Sequence, residues 1–167
     1  MRNSSAKQMA FGGVFAALAI AIMNLGSLIP VATYICPMLC MLLLRFVLTL
    51  CPRRIGWAWY GAVAILGMLM SPDKEAAAVF VALGYYPILK PRLDKMKYGV
   101  VLKFLLFNVV ILLMYAVLIY VMGLAQIAAE FAEMGIIMAV VTLVLGNVAF
   151  FLLDDLLGRK PKRKFKH

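Results

Sequence analysis

Proton-transfer chemistry usually needs a base that titrates near neutrality, and the only histidine among the 167 residues is His167. General acid–base work would therefore fall to carboxylates. Asp154 and Asp155 are the one adjacent pair of acids. Neighbours on a helix point in different directions, and Arg159 and Lys160 follow closely enough to compensate them. Cys36, Cys40 and Cys51 have neither metal-ligand spacing nor a histidine beside them, so they read as buried thiols. The chain contains no phosphate-binding glycine loop, His–Glu metal motif, dinucleotide fingerprint or nucleophile with a partner base. We expect no catalytic residue, no metal site and no cofactor, and hence no enzyme.

Residues that could bind are better represented. Asn24, Asn108, Tyr115, Thr142 and Asn147 interrupt otherwise apolar stretches. Tyr115 follows Asn108 by seven residues, which puts the two on one helix face. Asp73, Glu75, Glu130 and Glu133 hold four of the seven acids, with only Lys74 opposing them. Such a set suits a small cationic or polar solute. The expected binding residues are Asn24, Asp73, Glu75, Asn108 and Tyr115; the competing reading of the amides is that they simply tie helices together. Gly13, Ala17 and Ala21, spaced by four, form a small-residue stripe that would let another helix approach closely. Packing within the chain is the alternative use of that stripe.

What must position these residues follows from composition. Hydrophobic residues make up 66% of the chain and charged ones 14%, where a soluble domain has about half and about a quarter. The fold class is therefore all-α: a polytopic membrane protein with no room for a separate soluble domain. The net charge of +10 does not indicate nucleic acid, because the cations lie in short clusters between apolar runs, as topology signals do. Five apolar runs are plain, at 9–29, 32–51, 55–70, 100–122 and 134–153, followed by a basic tail at 158–167. The first run is longer than a signal-peptide core and reads as a retained helix.

The stretch 72–89 is less plain, because its uninterrupted apolar part, 76–89, is short of the about 20 residues of a usual span. The positive-inside rule decides the matter. With all six runs crossing and the N-terminus cytoplasmic, every one of the 17 cations except Lys74 lies inside. Without the crossing, only Arg2, Lys7, Arg45, Arg53 and Arg54 do. The sequence thus predicts six transmembrane helices with both termini cytoplasmic. Ser71 is the expected N-cap of the fourth, with Pro72 in its first turn, and Pro87 is expected to bend it near Gly84. Trp57, Trp59, Tyr60 and Tyr98 fall at the inner interface, and Tyr34 and Tyr120 at the outer one.

Six helices in a chain this short, termini inside, no nucleotide motif and G-x-x-x-A-x-x-x-A at Gly13, Ala17 and Ala21 resemble the S components of energy-coupling factor transporters. That resemblance implies capture of a small vitamin-like or polar molecule near the outer surface of a bacterial plasma membrane. It also implies docking, through small residues of the first helix, onto a transmembrane coupling protein served by ATPase subunits. Unlike many S components, this chain has only Pro30 and Val31 between the first two runs, and no ligand residue carries over from the family. In its text, F-G-G-V at 11–14 with Ala17 and Leu18, P-D-K at 72–74 and G-Y-Y-P-I-L-K at 84–90 are similar to a family of small bacterial membrane proteins to which no activity is attached. The partners expected are thus a small solute, membrane lipid, a coupling protein and ATPases, without nucleic acid. The alternative is a non-transporting structural or assembly protein that acts through helix–helix contacts.

Overall fold

The computed structural model describes residues 2–26, 32–123 and 125–158, and among these the regular structure is entirely helical. Seven helices follow in order: α1 (Arg2–Gly26), α2 (Ala32–Leu50), α3 (Arg53–Met70), α4 (Lys74–Leu83), α5 (Tyr86–Leu93), α6 (Gly99–Tyr120) and α7 (Ala125–Gly158). Four segments are long and apolar enough to cross a membrane: Ala6–Leu25, Thr33–Leu50, Gly99–Tyr120 and Val140–Gly158. The expected third span lies in α3, whose N-terminal turn carries Arg53 and Arg54. The expected fourth is divided between α4 and α5.

That division has a local cause. Pro87 has no amide hydrogen to give the carbonyl of Leu83, and α4 closes with the amide of Gly84 bonded to the carbonyl of Phe80 at 2.7 Å. The chain restarts through a tighter turn, with the Ile88 amide bonded to the carbonyl three residues back, that of Tyr85, at 3.0 Å. Gly84 is required for contact rather than for its backbone angles, since φ is −60°. A β-carbon there would lie 2.4 Å from the carbonyl oxygen of Phe80 and 3.0 Å from its ring. The N-cap of α4 is Asp73, not Ser71: the Asp73 carboxylate accepts the Ala76 amide at 2.9 Å. Ser71 instead donates to the Asp73 carbonyl at 3.1 Å. Asp and Ser are comparable caps, and Pro72 precedes the cap rather than lying in the first turn. In α7 the break falls at Gly135, with φ 70° and ψ 163°, in a region open to glycine and costly for other residues.

α2 lies at the centre and touches α1, α3, α4, α5 and α7. Its buried residues Cys36, Cys40, Leu44, Val47 and Cys51 recur at helical spacing along one stripe. Cys40, Leu44, Val47 and Cys51 share one core with Ala19 and Met23 of α1, Trp59 and Val63 of α3, and Ala77, Phe80 and Leu83 of α4. The outer faces are apolar too. Along α6, Val100, Val101, Phe104, Leu105, Val109, Leu112, Leu113 and Val117 are all exposed. A soluble chain rarely shows an apolar face of that extent, whereas a lipid-facing helix is expected to.

Candidate functional site

Three helices bring polar groups together at one end of the bundle: the start of α2, the start of α4 and the last turns of α6. Glu75 lies in the first turn of α4, where the helix dipole favours a negative charge. Its Oε1 accepts the Tyr34 hydroxyl at 2.8 Å and the Tyr115 hydroxyl at 2.6 Å. The two phenol oxygens are themselves 2.9 Å apart. Beside this triangle Thr33 donates to Asp73 Oδ2 at 2.8 Å, while Oδ1 caps α4. Lys74, the nearest cation in sequence, reaches away to the Met68 carbonyl at 2.8 Å. Among the described residues neither Asp73 nor Glu75 has an ion pair. Two carboxylates therefore stand without a counter-charge, one of them walled by two tyrosines. With Glu75 ionised, three oxygen–oxygen contacts share two phenolic protons, so an incoming N–H donor would find an acceptor to hand.

Of the five expected binding residues, Asp73, Glu75 and Tyr115 thus come together, and Asn108 instead faces α7. The Asn24 amide donates to the Ile20 carbonyl of its own helix at 2.9 Å. Asn108 and Asn147 exchange amide bonds of 3.0 and 3.1 Å between α6 and α7, and each also donates to the carbonyl four residues earlier. That reciprocal pair is a helix tie. Thr142 and Glu133 are exposed, and the side chain of Glu130 lies outside the described residues. Gly13, Ala17 and Ala21 are all exposed, since α1 turns Gly12, Ala19 and Met23 inward instead.

The opposite end of the bundle holds a second polar group, and here the charges cancel. Asp154 on α7 pairs with Lys90 of α5 and with Lys103 of α6, the latter at 2.9 Å, and it accepts the Tyr86 hydroxyl. Asp94 joins both lysines, at 3.4 Å to Lys90 and in direct contact with Lys103. The lysine side chains are 9% and 7% exposed, which only such pairing makes tolerable. Asp154 is therefore compensated from α5 and α6. Arg159 and Lys160, the partners expected from sequence, lie outside the described residues.

Sequence reasoning missed Tyr34 as a site residue because its place near a span end already explained it as an interface anchor. Lys103 carried a signal, as a lone cation four residues inside an apolar helix, but its position beside a basic loop masked it. Compared with known proteins, the chain matches no family model, no curated protein and no solved structure.

Proposed function

We propose that the chain is a bacterial plasma-membrane protein of six spans with cytoplasmic termini, the solute-binding subunit of an uptake transporter of the energy-coupling factor type. α3 and the α4–α5 pair are the two spans beyond the four long apolar segments. The acidic end then faces outward and the basic end faces the cytoplasm, in keeping with the distribution of cations. One observation carries the binding reading: Glu75, beside Asp73 and without an ion pair among the described residues, is held by tyrosines from two other helices. A carboxylate with aromatic walls recognises a small ammonium-bearing or polar solute through charge, N–H donation and the tyrosine faces. The exposed stripe of Gly13, Ala17 and Ala21 is the face offered to the coupling protein, with the ATPases bound beyond it.

The test is mass spectrometry of small molecules retained by the gently purified chain. A single cationic or polar solute is expected, lost on Glu75→Gln. Retention of none, or equal retention by Glu75→Gln, would refute the assignment. Ala17→Leu with Ala21→Leu should abolish co-purification of membrane partners. A second reading, an assembly protein without a solute, draws on the same stripe, because its small residues are turned away from the bundle. Partners that bind through the stripe to a chain that retains no solute would decide for it.

A further inference from the structure

The start of α6 carries a groove of about 460 Å³ lined by Met96, Lys97, Tyr98, Val101, Leu102 and Leu105. Its two ends differ in chemistry. Val101, Leu102 and Leu105 extend the lining about 10 Å along the helix from Tyr98, at the usual rise, and offer only carbon. Lys97 and the 70% exposed Tyr98 stand at the mouth, where polar loop gives way to apolar helix. Arg92 in the last turn of α5 and Lys95 in the connection that follows are also exposed. Among the described residues none of Arg92, Lys95 and Lys97 has an ion pair. Asp94, the acid between them, does not offset this charge, because it is already engaged with Lys90 and Lys103. Lys97 therefore lines an apolar trough as an uncompensated cation, with Arg92 and Lys95, also without an ion pair, five and two residues before it in sequence.

We propose that this groove binds an anionic phospholipid of the cytoplasmic leaflet, one acyl chain lying along Val101, Leu102 and Leu105 and the phosphate meeting Lys97 and Lys95. The occupant follows from the two ends together. A free phosphate would leave the apolar trough unfilled. A second copy of the chain would bring the same three cations against themselves. A zwitterionic lipid fills the trough but offers the cations no net charge. The tyrosine marks the headgroup level, as aromatic side chains do at membrane interfaces. This inference rests on the membrane placement proposed above, and it is independent of the solute.

The experiment places the full-length chain in vesicles of equal phosphatidylglycerol and phosphatidylcholine. It is then extracted gently, and the lipids still bound are weighed by native mass spectrometry. Phosphatidylglycerol should be enriched over the bulk ratio, and Lys97→Gln should lower that enrichment about fivefold, the usual worth of one cation at an anionic surface. Lys95→Gln with Lys97→Gln should return the ratio to bulk, whereas Leu105→Trp should reduce retention of both lipids. Lys74→Gln, at the other end, should change nothing. Bound lipid at the bulk ratio, or enrichment untouched by the double lysine change, would overturn the site. A chain absent from the membrane fraction after an alkaline wash would overturn the membrane placement along with it. Lipid enrichment in a chain that retains no solute would uphold the groove while refuting the solute assignment.

Discussion

The two ends of the bundle use similar groups to opposite effect. At one, Glu75 and Asp73 are held by hydroxyls and an amide and, among the described residues, have no ion pair. At the other, Asp154 and Asp94 are matched by Lys90 and Lys103, with Tyr86 as a further donor. Hydrogen bonds fix the position of a carboxylate while leaving its charge available. Ion pairs consume the charge and tie helices instead. α6 contributes to both, with Lys103 at one end and Tyr115 at the other, and with the Asn108–Asn147 tie between them. The paired end ties three helices together, whereas the unpaired end holds its carboxylates in place and keeps their charge to offer.

The largest effect should come from breaking the paired end. Asp154→Asn removes the charge shared by Lys90 and Lys103 and leaves two buried ammonium groups to the partly exposed Asp94. Removing one partner of a buried ion pair costs about 3–5 kcal/mol. A pronounced fall in the thermal unfolding midpoint of the detergent-purified chain is expected. Lys103→Met should cost less, because Asp154 keeps Lys90 and Tyr86. Equal losses in the two variants would mean that Lys90 and Tyr86 cannot hold Asp154 without Lys103.

Gly84→Ala comes next. The added methyl would press on the Phe80 carbonyl and ring, and overpacking of this kind costs about 1–3 kcal/mol. It tests whether the α4–α5 break, which sets Glu75 and Lys90 on consecutive short helices, depends on close contact. Asn108→Leu removes the amide exchange with Asn147 and should cost about 0.6–1.7 kcal/mol, the range of such ties in membrane bundles. If Asn108→Leu lowered the midpoint more than Asp154→Asn, the middle of α6 rather than its basic end would be the principal tie.

The helices and the break at Pro87 were readable because they depend on local rules: apolar run length, proline and cations at the ends of runs. Asp73 and Glu75 were also readable, as acids gathered at the head of the fourth apolar stretch, where Asp73 caps α4 and Glu75 lies in its first turn. What pairs with them was not. Tyr34 lies 41 residues from Glu75, and Asp154 lies 64 and 51 residues from its two lysines. Charge counting treated Lys90 and Lys103 as topology signals and had no means of telling a solvated lysine from one folded against an aspartate. Asn108 and Tyr115 share a helix face as expected, yet facing neighbours differ along a helix. Asn108 meets an amide on α7, and Tyr115 meets a carboxylate on α4.

The smallest effect on stability, and the one that most sharpens the comparison, is expected from Glu75→Gln. Glutamine keeps an oxygen that can accept the Tyr34 and Tyr115 hydroxyls, and it removes only the charge, which no cation among the described residues pairs with. The unfolding midpoint should therefore move by no more than the 2–4 °C that about 1 kcal/mol produces in a chain of this size. Solute retention should vanish. Tyr115→Phe should do the reverse in part, loosening the triangle while leaving the carboxylate, and so weaken retention without abolishing it. If Glu75→Gln instead lowered the midpoint as far as Asp154→Asn, the Glu75 carboxylate would be a cohesive element like its counterpart. A midpoint that stays in place while binding is lost would separate the two ends by function.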